Sequence, residues 1–168
     1  MKKILFVFIL AAFIAAGTAF ADHPSGFGIG VHGGYGGIGG GGGLNLKFPS
    51  LPIFFYIDTV AGSNNYFSIS GAGDFYFIHN SLVKEAGLHW YLGFGVGVSL
   101  WGFNDTLGLA AAARLPIGLS WQPVNFLEIF LQIVPQIGAR FIGSDNGGSG
   151  FGLGGNFWCG NLGLRIWL

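Results

Sequence analysis

Charged side chains are scarce in this sequence. Asp, Glu, Lys and Arg together make up only 8% of its residues, whereas an ordinary soluble domain carries about 25%. The hydrophobic fraction is 51%, and the 33 glycines show no Gly-X-Y period of the collagen type. A soluble domain with so few charges would expose a largely apolar surface. The composition therefore argues against an ordinary soluble domain.

The sequence also lacks the usual marks of a redox, metal, nucleotide or catalytic site. The single cysteine, Cys159, cannot form an internal disulfide and is expected to be a small packing residue. The four histidines show no metal-binding spacing, and no Ser/His/acid set converges. The G-x-G-x-x-G match at 28–33 runs into more glycine and not into a helix, so no dinucleotide site is expected. We predict no enzymatic activity and no cofactor.

Only the N-terminal end contains a continuous apolar run. Lys2 and Lys3 precede the apolar core Ile4–Ala16, and a small-x-small pattern ends at Ala21. This order is typical of a cleaved signal peptide. The alternative is a membrane anchor, but the core is shorter than the about 20 residues that a spanning helix needs. We predict a signal peptide over 1–21 and one exported domain over 22–168, which has no basic run for nucleic acid.

A strict alternation of side chains dominates that exported domain. In Leu88–Leu100 every even position is large and apolar and every odd position is small or polar, which is typical of a β-strand. The same pattern predicts eight strands, with ten as a minor alternative. The predicted strands are Gly26–Tyr35, Gly43–Phe48, Ile53–Val60, Tyr66–Ile78, Leu88–Leu100, Leu107–Trp121, Phe126–Ile142 and Asn156–Leu168. Pro116 and Pro135 lie inside predicted strands, where each removes a hydrogen-bond donor. A bulge at each proline, or different strand boundaries, would accommodate them.

The charges within these predicted strands all lie on the face with the small and polar residues, and the other face carries none. A lone Arg or Lys costs about 2–4 kcal/mol near the middle of a membrane, and only helices and closed barrels pair every backbone group in lipid. The sequence therefore predicts an all-β, eight-stranded, antiparallel, up-and-down transmembrane β-barrel with its charges inside. In Leu88–Leu100 the side chains expected to face lipid are those of Trp90, Leu92, Phe94, Val96 and Val98.

Charges inside such a narrow barrel need partners. We expect a structural polar network in the lumen, in which Glu128 pairs with one or more of Arg114, Arg140 and Arg165. Its other expected members are Gln132, Asp74 and His89. A path for protons or solutes is the alternative interpretation of these residues.

The C-terminal segment Asn161–Leu168 alternates to the last residue and resembles the signal that the outer-membrane barrel assembly machinery recognises. The usual terminal aromatic residue is replaced by Leu168. The chain as a whole resembles small eight-stranded barrels of the OmpA transmembrane-domain and OmpX type. The segments 113–124 and 127–130 are similar to uncharacterised spirochaete outer-membrane barrels. The resemblance implies a fold, a location in the bacterial cell outer membrane, and the assembly machinery as a partner.

These observations predict a non-enzymatic, integral outer-membrane protein with a structural, integrity or surface-interaction role. Its partners would be outer-membrane lipids and the assembly machinery, and its surface ligand, if any, is not specified. Its N-terminus is expected in the periplasm, with the loops 36–43, 61–65, 101–106 and 143–154 outside. The inward glycines leave open a narrow, porin-like pore or a small-solute-binding barrel. A soluble, lipocalin-like carrier is a further alternative.

Overall fold

The computed structural model describes residues 26–62, 66–104, 106–144, 149–153 and 158–168, so the predicted signal peptide 1–21 lies outside the described residues. All secondary structure in these ranges is β. The strands are β1 (Gly28–Gly36), β2 (Gly42–Lys47), β3 (Ile53–Ala61), β4 (Phe67–Val83), β5 (Leu88–Phe103), β6 (Thr106–Arg114), β7 (Ile117–Val124), β8 (Leu127–Ser144), β9 (Ser149–Leu153) and β10 (Trp158–Trp167). None of the described residues forms a helix long and apolar enough to cross a membrane.

The strands close into an antiparallel barrel. Each strand from β1 to β5 pairs with the next one, β5 pairs with both β6 and β7, and both of these pair with β8. The first part of β8 pairs with β10, and β10 pairs with β1. Phe27 and Leu168 exchange backbone hydrogen bonds beside this closure. The hydrogen-bonded ring therefore passes through eight strands, which confirms the predicted fold class.

The segments β6 and β7 are two halves of one strand, interrupted at Pro116. Arg114 pairs with Gln136 before the interruption, and Ile117 pairs with Ile133 after it, so the register does not shift. Pro135 lies opposite the interruption, and its carbonyl oxygen accepts a 3.0 Å hydrogen bond from the Leu115 amide. The two prolines lie on neighbouring strands at the same level of the barrel. The two backbone N–H donors that they lack are therefore missing at one place in the sheet. The predicted strand Leu107–Trp121 is thus divided at Pro116 without a bulge, whereas β8 continues through Pro135.

Several predicted boundaries were wrong, and the two largest differences lie in connections between strands. The connection expected over 79–87 is mostly strand, because β4 continues to Val83 and only the turn Lys84–Gly87 connects it to β5. A bulge between Tyr76 and Ile78 shifts the alternation by one residue, which turns His79 inward. Within the loop expected over 143–154, residues 149–153 form β9, which pairs with the last part of β8.

The barrel has two dissimilar ends. We call the end with Phe27, Leu168 and the turns after β2, β4 and β7 the terminal end, and the opposite end the loop end. The connection after β1 at the loop end folds back into the barrel, and Ile38 is only 9% exposed. The expected flexible outer turn over 36–43 is thus partly an internal plug.

Polarity is inverted relative to a soluble protein. The buried side chains include Lys47, Asp58, Asp74, Glu128 and Arg165. Large apolar side chains face outward along every strand of the ring; Val96 is 67% exposed and Ile137 is 72% exposed. This arrangement agrees with the predicted faces of Leu88–Leu100, in which Phe94, Val96 and Val98 are exposed and Tyr91 is buried.

The inward glycines make room for large neighbours. A Cβ atom at Gly93 would lie 2.6 Å from the Tyr76 ring, and one at Gly95 would overlap the Asp74 carboxylate. A Cβ atom at Gly97 would lie 2.8 Å from Ile38. Because real Cβ contacts are not this short, larger residues at these positions would displace the neighbouring side chains. The space beside the glycines of β5 is therefore occupied by side chains of β4 and of the plug.

Substituting Gly95 tests this packing. We expect Gly95→Val to destabilise the barrel by about 3 kcal/mol, because the new side chain displaces a buried carboxylate from its arginine. The measurement is the free energy of unfolding in urea, followed by tryptophan fluorescence in detergent micelles. The matched control is Gly71→Val, since Gly71 faces outward and a Cβ atom there has only one neighbour, at 3.9 Å. Equal losses for the two variants would contradict the proposed packing.

Candidate functional site

Arg165 is the centre of the polar network in the terminal half of the barrel. It lies on β10, is 1% exposed, and donates from Nη1 to Glu128 Oε2 over 2.8 Å. Its Nε donates to Asn45 Oδ1 over 2.8 Å. The Trp167 indole donates to the same Glu128 oxygen over 2.9 Å. The register places Arg165 directly beside Glu128 on the neighbouring strand, so the pair follows from strand pairing and inward orientation.

Aromatic rings enclose this arginine. The guanidinium carbon lies 4.5 Å from the Phe54 ring centroid, 4.9 Å from that of Phe130 and 5.6 Å from that of Trp167. Such contacts add cation–π attraction to the ion pair in a region from which water is excluded. The Arg165 charge is therefore stabilised by a carboxylate from one strand and by aromatic rings from three strands.

A layer of tyrosines lies next to this cluster. Tyr56 and Tyr76 share a hydrogen bond of 2.6 Å between their hydroxyl oxygens. Tyr76 and Tyr91 both donate to Gln132 Oε1, over 3.2 and 3.1 Å. The rings of Phe54, Tyr76 and Tyr91 stack in a row with centroid separations of 4.5 Å. This layer fills the barrel cross-section with aromatic side chains and satisfies their hydroxyls internally.

A second ion pair holds the plug that follows β1. Arg114 forms a two-point contact with Asp74, with Nε to Oδ1 at 2.9 Å and Nη2 to Oδ2 at 3.1 Å. Its remaining nitrogen, Nη1, donates to the Ile38 carbonyl. The Gln136 side chain accepts from the Ile38 amide over 3.1 Å and donates to the Ile38 carbonyl over 2.7 Å. Ile38 of the plug is thus hydrogen-bonded through both its backbone amide and its backbone carbonyl.

Histidines occupy two further places in the interior. His32 on β1 is paired with Asp58 on β3, across β2. Near the terminal end, His79 stacks on His89 with a centroid distance of 4.9 Å and lies 3.3 Å from the Ser120 hydroxyl. In the described part of the chain, no three His, Cys, Asp or Glu side chains are grouped as metal ligands. These contacts support packing and provide no evident catalytic arrangement.

The structure separates some residues that the sequence grouped in the lumen network. Glu128 and Arg165 are together, Gln132 joins the tyrosines, and Arg114 is bonded to Asp74 and not to Glu128. Arg140 is exposed at the loop end, and His89 is only half-buried. Arg140 therefore lies outside the buried network, whereas His89 reaches the interior through its stack on the buried His79.

The expected network did not include several interior residues. Asn45 and Asp58 lie on the polar face of their strands, which predicts that they point inward, but neither was assigned to the network. Ile38 gave no such signal, because it is one apolar residue in a glycine run. His79 was missed because the bulge after Tyr76 reverses which residues of β4 face inward.

Comparison with protein-family models found no matching family, and comparison with curated proteins found no match. Among solved structures, the chain is similar to a major outer membrane protein from Thermus thermophilus, with 12% identity and a TM-score of 0.37. The alignment covers 87% of this chain and 100% of that chain. At this level of similarity, the match supplies no functional inference.

Removing Glu128 tests the role of the Arg165 cluster. We expect Glu128→Ala to lower the free energy of unfolding by about 3–5 kcal/mol, because it leaves a buried guanidinium without its carboxylate. The double variant Glu128→Leu with Arg165→Met removes both charges and should recover most of that loss. Arg140→Met, at an exposed arginine, serves as the control and should change stability by no more than about 0.5 kcal/mol. A double variant less stable than Glu128→Ala would refute this account.

Proposed function

We propose that this protein is an integral barrel of the bacterial outer membrane, of the OmpA and OmpX type, with a structural or surface-interaction role. The observation that carries the proposal is the apolar outer surface around a buried, charged interior. In the proposed orientation the terminal end lies in the periplasm and the loop end faces the cell exterior. Neither catalysis nor transport is part of the proposed role.

The outer surface supports a membrane location because its apolarity is continuous. In the described strands every charged side chain lies on the inward face, and the exposed side chains between the two ends are mostly Val, Ile and Leu. This surface in water would be a large uninterrupted apolar patch, which soluble proteins avoid. In a bilayer it would match the hydrocarbon. The soluble, lipocalin-like alternative is correspondingly disfavoured.

Outward aromatic residues near both ends support the same location. Such residues commonly form girdles at the two interfaces of membrane barrels. Near the terminal end the exposed aromatic residues are Phe48, Trp121 and Phe126. Near the loop end they are Tyr35, Phe67, Phe103, Phe141, Phe151 and Trp158. The Trp121 indole also donates to the Ala86 carbonyl over 3.0 Å, which fixes one of these rings beside a turn.

The filled terminal half argues against a pore. Tyr56, Tyr91, Phe130 and Arg165 are each 1% exposed and lie in adjoining layers of the same cross-section. The tyrosine hydroxyls and the Arg165 guanidinium are hydrogen-bonded to neighbouring side chains of these layers. Opening a path would therefore break several of these hydrogen bonds together. A closed barrel is therefore the better-supported form, and its activity must lie at its surfaces or its ends.

A cysteine-accessibility scan of β5 tests the membrane location. In a Cys159→Ser background, single cysteines at Val96 and Val98 should resist a water-soluble maleimide in lipid vesicles and react with a lipid-soluble one. A cysteine at the buried Tyr91 should resist both reagents. The control is the same set in urea-unfolded protein, where every position should react. Rapid labelling of Val96 and Val98 by the water-soluble reagent in vesicles would overturn the proposal.

Planar-bilayer recording tests the closed lumen. Folded wild-type protein should give no conductance steps. A variant lacking residues 37–41 should stay silent as well, because the aromatic layer below the plug remains. Heat-modifiable migration on a detergent gel provides the check that each protein is folded. Regular steps from wild-type protein would favour the pore alternative, and steps only from the deletion variant would show that the plug is the sole barrier.

A further inference from the structure

The loop-end half of the barrel contains a half-open cavity of about 290 Å³, which we call the vestibule. The plug residue Ile38 and the side chain of Gln136 form its floor, and Tyr66, Trp101 and Arg140 line it above. Ligand sites commonly measure about 300–1,000 Å³. The vestibule lies just below that range, so a ligand with a single ring is the largest that it would hold.

Small residues in adjacent rows create this space. Ser70 pairs with Ser99, Ser99 pairs with Ala110, and Ala110 pairs with Arg140. One step nearer the loop end on the same face, Ser68 pairs with Trp101. Residues paired in this way have Cβ atoms about 4.5–5.5 Å apart on one face of the sheet. Three hydroxyls, an indole and a guanidinium therefore line one continuous wall.

The three hydroxyls of this wall lack protein partners among the described residues. Ser68 and Ser70 are each 7% exposed and Ser99 is 8% exposed, and all three line the vestibule. Within the described ranges none of their side chains makes a hydrogen bond to the protein. None of the three hydroxyl oxygens is both fully enclosed and without a partner, and a hydroxyl that faces the cavity can bond to water or to a ligand there. These groups are consequently positioned to bond to whatever occupies the cavity.

The remaining lining determines the chemistry of the occupant. Among the described residues that line the vestibule, Arg140 alone is charged, and guanidinium groups bind carboxylates through paired hydrogen bonds. The Trp101 indole lies against Gly108, where a Cβ atom would come within 2.7 Å of the indole nitrogen. One face of the indole is thus covered by the wall, and the indole also lines the vestibule. Aromatic faces pack well against the apolar faces of sugar rings.

We propose that the vestibule binds a small sugar acid, a hydroxylated six-membered ring that carries one carboxylate. The serine hydroxyls pair with the ring hydroxyls, Arg140 binds the carboxylate, and Trp101 packs on the ring. Access from the cell exterior rests on the orientation proposed above, whereas binding in detergent solution does not.

Titration calorimetry with D-glucuronate and D-glucose tests the ligand class. Wild-type protein folded in detergent should bind D-glucuronate saturably, and it should bind D-glucose at least tenfold more weakly because glucose lacks the carboxylate. Arg140→Gln should reduce glucuronate affinity at least tenfold and leave glucose affinity unchanged. Arg140→Lys keeps the charge and should retain an intermediate affinity.

Two alanines of β6 supply a matched pair of variants for the cavity itself. Ala110→Leu places a larger side chain in the vestibule and should abolish binding of both sugars. Ala113→Leu makes the same change on the outer face, where Ala113 is exposed, and should leave binding unchanged. Replacing Ser68, Ser70 and Ser99 together by alanine should weaken binding of both sugars.

Several outcomes would overturn the proposal. Absence of saturable glucuronate binding to wild-type protein would show that the hydroxyls serve only water, and equal binding by wild type and Ala110→Leu would place the site elsewhere. Heat-modifiable migration of each variant establishes that the barrel is folded. A folded barrel that binds no sugar contradicts only this proposal, whereas failure of the β5 labelling pattern contradicts the membrane location.

Discussion

Closure of the hydrogen-bonded ring is the constraint on which the rest of this structure depends. Once β10 pairs with both β1 and β8, each strand has two faces that meet different surroundings. One face looks into a lumen only wide enough for side chains, and the other looks outward. A single alternation in the sequence therefore decides where charge lies. With Asp74, Arg114, Glu128 and Arg165 enclosed in pairs, the outward faces of the described strands carry no charge.

Enclosed charges determine how the interior is filled. An unpaired charge in a narrow lumen is costly, so each of the two buried arginines lies within reach of a carboxylate on another strand. Asp74 and Arg114 are separated by β5, and the intervening inward residue is Gly95. Glycine at this position lets the two side chains meet across the strand. The glycines that suggested an open lumen in the sequence are thus the places where charged and aromatic side chains from neighbouring strands meet.

Much of this fold could be predicted from the sequence because alternation is a local property. The eight strands and the inward position of Asp74 and Glu128 follow from counting residues. The partners of each charge do not, because they depend on the register of strands that are distant in the chain. The bulge between Tyr76 and Ile78 leaves no clear local signal either, although it reverses the orientation of His79. The insertion of Ile38 depends on a space created by Gly97, which lies on another strand.

The two halves of the lumen are filled to different extents because their inward side chains differ in size. In the terminal half the inward residues are Phe, Tyr, Trp and Arg, which fill the cross-section and bond to one another. In the loop-end half the inward residues of β4, β5 and β6 are mostly Ser, Ala and Gly, and these cannot fill the same cross-section. The plug supplies part of the missing volume, since Ile38 lies against Gly97 and is bonded to Arg114 and Gln136. It does not supply all of it, and the serines above the plug face the remaining space. A barrel that only needed to be stable could have carried large residues on these strands as it does on their terminal halves, so the small residues at the loop end are best explained by a requirement for that space.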